Sequence, residues 1–146
     1  MRFLKASNGF CAAPTGKYSD VAIEVTMTIV TGDCGTVWFR GNGPAYDFEV
    51  CQDGVYHLYL YGSPTPPGIA TLLSNRSAAV HMGLGQTNEL AVVAIGSQIN
   101  LYVNQQKIDS VTNGVEPSGD VNFGAAASRA TDVAFTHATI WTPWVN

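Results

Sequence analysis

Apolar and polar residues alternate with a period of two along most of this chain. Val21, Ile23, Val25, Met27 and Ile29 interleave with Ala22, Glu24, Thr26 and Thr28, which predicts a strand with one buried face. Residues 34–61 continue the pattern as three antiparallel strands. The turn Gln52-Asp53-Gly54 suits a three-residue hairpin loop ending in a left-handed Gly. It sets Phe48 opposite Leu58, Val50 opposite Tyr56 and Tyr46 opposite Leu60. The turn Gly41-Asn42-Gly43-Pro44, centred between Asn42 and Gly43, sets Val37 against Phe48, Phe39 against Tyr46 and Cys34 against Cys51. Turn and pattern agree, because all the facing core candidates are apolar or aromatic.

The opposite face of the same three strands is chemically rich. Its rows read Cys34–Cys51–Val55, Thr36–Glu49–His57, Trp38–Asp47–Tyr59 and Arg40–Ala45–Tyr61. Aromatic rings, two carboxylates, an imidazole and a guanidinium would share one sheet surface. A slip of one residue would dissolve that surface.

Farther along, Pro64, Pro66 and Pro67 exclude regular pairing, with short strands expected at residues 69–73 and 79–82. Leu90, Val92 and Ala94 face Ile99, Leu101 and Val103 across Gly96-Ser97, where a leading Gly suits a type II′ turn. Ala91, Val93 and Ile95 make this strand apolar on both faces, so it should be central. A second turn is expected at Gln105-Gln106, loose for want of Gly. Residues 121–126 and 132–141 close the chain, with a bulge near Thr136 and His137 reconciling the parity of Phe135 with that of Ile140. Residues 1–19 read as loop, apart from an extended piece at 10–13 and a turn at Pro14-Thr15-Gly16-Lys17. About a dozen short strands with regular turn signals and no helix predict an all-β, two-sheet antiparallel sandwich of the jelly-roll kind.

The 146 residues suit one domain spanning 1–146. Charged residues are 12% of the chain, about half the usual share. A net charge of −4 with no Lys/Arg cluster argues against a nucleic-acid partner. No apolar run is long enough to insert in a membrane. Met1 to Lys5 lead into no apolar stretch of the signal-peptide kind, so an export signal would lie upstream. Of the three cysteines, Cys34 and Cys51 form either a cross-strand disulfide, worth roughly 3 kcal/mol in the chain-entropy model, or a pair of buried thiols. The disulfide would place the chain in an oxidising compartment. Cys11 has no evident partner.

Several runs together resemble a known family: YSDVAIEVTMTIVTGDCGTVWFR, YDFEVCQDGVYHLYLY, NELAVVAIGSQINLYVNQQKIDSV and DVAFTHATIW. They are similar to the laminin-G/concanavalin A-like jelly-roll domains of bacteria over residues 18–142. Most similar are the extracytoplasmic C-terminal domains of bacterial serine/threonine receptor kinases, in which a GDCG…FR…VCQDG segment and an LYVN-G-Q hairpin recur. Gln105 stands where that hairpin has Gly. The resemblance implies a sandwich outside the membrane, carbohydrate-binding or sensory, without naming a ligand. The fold is similar to that of family 16 glycosidases, but of their E-x-D-x-(x)-E motif only Asp47-Phe48-Glu49 remains.

The expected function is therefore a non-catalytic, lectin-like module for a glycan or polysaccharide. Trp38, Tyr59 and Tyr61 would stack on sugar rings, while Arg40, Asp47, Glu49 and His57 bind hydroxyls. Each has a plainer reading as a cross-strand partner, and Arg40 could simply pair with Asp47. Asp47 and Glu49 could instead serve hydrolysis, but side chains from one strand lie side by side instead of flanking a bond. No Cys/His cluster marks a zinc site. A structural Ca²⁺ would draw on Asp20, Asp33 and Asp132, which could equally be solvated turn residues. A structural or self-assembling sandwich without a sugar ligand is the other expectation. The oligomeric state is open.

Overall fold

The computed structural model describes residues 2–7, 10–12, 16–63, 66, 68–126 and 130–142. Twelve strands make two six-stranded antiparallel sheets. One holds β1 (Arg2–Ser7), β12 (Asp132–Trp141), β3 (Val21–Thr31), β8 (Thr87–Ile95), β9 (Gln98–Val103) and β10 (Gln106–Thr112), in that spatial order. The other holds β2 (Phe10–Ala12), β11 (Asp120–Ala126), β4 (Cys34–Gly41), β5 (Ala45–Cys51), β6 (Val55–Tyr61) and β7 (Ile69–Arg76). No described residue is helical. This is the expected jelly-roll sandwich.

The core forms where the inward residues of the two sheets meet. From β3 come Val21, Ile23, Val25, Met27 and Ile29, all buried. From β4, β5 and β6 come the eight residues expected on the inner face, Val37, Phe39, Tyr46, Phe48, Val50, Tyr56, Leu58 and Leu60, each at most 2% exposed. The predicted register holds across this sheet: Cys34 faces Cys51, Val37 faces Phe48, Tyr46 faces Leu60 and Phe48 faces Leu58. β8 is central, with Leu90, Val92 and Ala94 opposite Val103, Leu101 and Ile99. Gly96 is left-handed at φ 57°, as its turn requires. β12 carries the expected bulge, where His137 adopts φ 54° and the pairing with β3 shifts between Thr136 and Thr139.

Four local expectations are corrected. Residues 2–7, read as loop, pair with β12 as an edge strand. Residues 79–82 are not a strand but lie in a turn-rich segment, where Val80 plugs the core. The β9–β10 turn lies at Asn104-Gln105, one residue earlier than expected, and it is tight. Both residues are left-handed, with φ 51° and 68°, and Gln106 pairs directly with Val103. Asn104, expected from the sequence on a polar outer face with Asn100, Tyr102, Lys107 and Asp109, instead accepts from Glu89 N and donates to the Ala79 carbonyl and to Asn88, so it leaves that row. Asp109 likewise leaves that row: a bulge after Lys107 turns it to accept from the Tyr56 hydroxyl at 2.9 Å. The turn expected at Pro14-Thr15 and the prolines Pro64 and Pro67 lie outside the described residues.

Candidate functional site

The outward residues of β4, β5 and β6 build one continuous surface. The strand period of two puts Glu49 between Thr36 and His57, and Asp47 between Trp38 and Tyr59. Along β6, His57, Tyr59 and Tyr61 project from the same side. His57 stacks on Tyr59 with centroids 5.2 Å apart, and Tyr59 meets Tyr61 edge-on at 6.0 Å. Trp38 stacks on Tyr61 at 4.9 Å with the planes inclined by 23°. Six of the seven side chains expected on this face are therefore brought together.

Beside the ring row runs an open groove of about 460 Å³. Tyr61, Tyr59, His57 and Val55 form one side. Glu49, the Cys34–Cys51 disulfide and Asp33 form the other, and Gln52 and Asp53 of the β5–β6 turn close one end. From Val55 to Tyr61 the strand extends about 20 Å, room for a short oligosaccharide. Cys34 and Cys51 are bonded, with Cα atoms 4.0 Å apart. The disulfide reading thus holds over the paired-thiol alternative. It ties the ends of β4 and β5 together where the groove begins. Asp33 was expected as a calcium candidate and Val55 in the row with Cys34 and Cys51, but Gln52 and Asp53 were not singled out as site residues from the sequence. Their one signal was the Gln52-Asp53-Gly54 turn, which carries the chain from Glu49 round to His57.

Arg40 does not belong to this surface. Its backbone is left-handed at φ 51°, and the pairing of β4 with β11 shifts just there. The side chain therefore turns to the inner side and is only 1% exposed. Its Nε and Nη2 donate to the Ser19 carbonyl at 3.0 and 2.8 Å, and Nη1 donates to the Gly96 carbonyl at 2.7 Å. Its carboxylate partner is Asp20 at 3.9 Å, not Asp47. Arg40 is a clamp between the two sheets.

Asp47 is the electrostatic centre of the face. It is 1% exposed, and its Oδ1 has no hydrogen-bond partner among the described residues. Burial drives its pKa well above the usual carboxylate value, the charge of Glu49 pushes the same way, and Thr36 acts in the opposite sense. The Thr36 hydroxyl is near enough to favour the ionised form, yet outside hydrogen-bonding geometry. Glu49 is also raised, chiefly by burial. Tyr61 is pushed up to about 12, first by burial and then by Asp47 and Glu49. Burial lowers the His57 pKa, against the pull of Asp53, and its Nδ1 is buried without a partner among the described residues. The face thus holds polar groups left unsatisfied by the described residues, an arrangement that suits hydrogen bonding to a ligand.

The calcium candidates do not converge. Asp20 precedes β3 and accepts from Gly96 N, whereas Asp33 and Asp132 lie at the other end of that strand. Among the described residues, one group of potential metal ligands clusters, namely Cys34, Glu49 and Cys51, and its two sulfurs are joined to each other.

Neither a family model nor a curated protein matches the sequence. Solved structures do match the fold. The carbohydrate binding module CBM66 from Bacillus subtilis superposes with a TM-score of 0.75 at 15% identity, covering 92% of this chain and 81% of that one. Sheep galectin-11 in complex with glycerol gives 0.65 at 11% identity, covering 92% and 97%. The laminarinase catalytic domain from Thermotoga maritima gives 0.66 at 8% identity, covering 97% and 77%. The chain has the concanavalin A-like jelly-roll fold that these proteins share.

Proposed function

We propose that the outer face of β4–β5–β6 is the carbohydrate-binding surface of a non-catalytic, lectin-like module working outside the cytoplasm. The observation that carries this reading is the row His57, Tyr59 and Tyr61 set along a groove whose other wall bears Glu49. Flat rings accept the C–H faces of pyranoses, and fixed carboxylates accept from hydroxyls. The rings are held by stacking before any ligand arrives, so little side-chain freedom is lost on binding. The fold resemblance to CBM66 and a galectin fits this reading but names no sugar.

Hydrolysis is the weaker reading because Asp47 is covered. A glycosidase pair must reach both sides of the scissile bond, and of Asp47 and Glu49 only the latter lines the groove. The disulfide fits an oxidising compartment. The GDCG and VCQDG runs support kinship with the extracytoplasmic domains of receptor kinases.

The test is a glycan-array and polysaccharide-pulldown screen of the purified protein, with and without EDTA. A specific hit that Tyr59→Ala abolishes without loss of fold is expected. Loss of the hit in EDTA would add a structural Ca²⁺. A blank on folded protein, or binding indifferent to Tyr59→Ala, overturns the reading and favours a structural or self-assembling sandwich, which scattering would then detect.

A further inference from the structure

We propose that the groove selects cationic amino sugars, de-N-acetylated hexosamine oligosaccharides, over neutral and anionic glycans. This rests on the carbohydrate-binding reading above and gives it a substrate class.

The charges around the groove are one-sided. Asp33, Glu49 and Asp53 line it, and among the described residues no Lys or Arg does. Arg40, the one cation whose strand parity points here, is turned between the sheets. Arg76, opposite Val55 on β7, donates its Nη1 to the Asp53 carbonyl at 2.8 Å and stands outside the lining, so one cation lies near the groove's closed end and none within it. His57 is held toward its neutral form by burial.

The acidity is not only a solvated rim. Asp47, 1% exposed and with Oδ1 unpartnered among the described residues, lies under the groove side of the sheet: once ionised it acts on Tyr59 and Tyr61, which line the groove, and a cation bound there would favour that ionised form. A half-buried carboxylate such as Glu49 is poorly screened by salt. An ammonium offers three donors, and charge-assisted hydrogen bonds are about twice as strong as neutral ones. The negative faces of Tyr59 and Tyr61 also favour a cation. A uronate brought to the same place meets like charge.

The experiment is titration calorimetry of the whole chain with a glucosamine oligomer, its N-acetylated counterpart, a neutral glucan and a polyuronate, at a pH where the sugar amine is protonated. The expected result is binding of the glucosamine oligomer about tenfold or more tighter than its acetylated form, with none of the polyuronate. Glu49→Gln should bring the two hexosamine oligomers within about threefold. Glu24→Gln, an equal charge change on the other sheet, should leave the ratio unchanged. A ratio near unity in the natural chain overturns this inference alone, because sugar binding itself remains. A preference that both variants reduce equally also overturns it, revealing adsorption of a polycation to an acidic protein. Binding of no sugar removes this inference and the carbohydrate reading together.

Discussion

Trp38 and Tyr61 meet across β5, although the strands that carry them are two apart. Strands so placed lie roughly 9.5 Å from each other, yet the ring centroids are 4.9 Å apart. Both rings therefore lean inward over β5 and roof its outward residues. Ala45 and Asp47 lie beneath at 2% and 1% exposure. The small Ala45 opposite Tyr61 leaves room for the lean.

Removing the roof should change Asp47 before it changes the fold. Trp38→Ala readmits water, so the Asp47 pKa should fall toward the ordinary carboxylate value in an NMR carboxyl titration. The lost ring pair costs about 0.5–1.5 kcal/mol of stability, while glycan binding should disappear. An unmoved Asp47 titration would mean that neighbouring charge, not the roof, sets its pKa.

Asp47 also gives the protein a pH dependence of defined sign. Its folded pKa is raised, first by burial. Between the unfolded value of about 3.9 and the folded one, the native state binds more protons than the unfolded state. Stability therefore falls as pH rises through that window. Glu49, raised in the same direction, adds to the fall. Asp47→Asn should match the natural chain near pH 4 and melt at higher temperature at neutral pH. The gap should open with rising pH and then level off. A gap widest in acid would reverse the assignment.

The same face shows how far the sequence reaches. Its register was legible because two constrained turns and five facing apolar pairs on the core side all demanded one alignment. The place of Arg40 was not. Strand parity sends it outward, but a left-handed residue resets the parity, and no Gly marks the spot. The alternation around Val80 reflected one residue plugging the core from a loop, which a period-two pattern cannot tell from a strand. The ring row could be read from sequence, whereas the groove beside it needed the β5–β6 turn in place.

Arg40→Met should therefore behave as a folding mutation. It takes the Arg40 donors from the Ser19 and Gly96 carbonyls, at a cost of about 1–3 kcal/mol for each, and removes the cation beside the partly exposed Asp20. Arg40→Lys should recover little, because a single ammonium lacks the fork that reaches both carbonyls. Below their melting temperatures both variants should bind glycan as the natural chain does. Lost binding with unchanged melting would return Arg40 to the site.

The β9–β10 turn offers a change of opposite sign. Asn104 and Gln105 are consecutively left-handed, the arrangement of a two-residue type I′ hairpin loop. A residue with a Cβ is disfavoured there by about 1–2 kcal/mol, and Gly gives back part of that through a freer unfolded chain. Gln105→Gly should thus stabilise by about 0.5–1 kcal/mol. Asn104→Gly relieves the same backbone strain but removes the bonds to Glu89 N, the Ala79 carbonyl and Asn88, so it should destabilise by about 1–3 kcal/mol. Urea denaturation reads both as shifts of midpoint at constant slope. Shifts in the same direction would show that the Asn104 side chain, despite its three partners, contributes nothing beyond its backbone conformation.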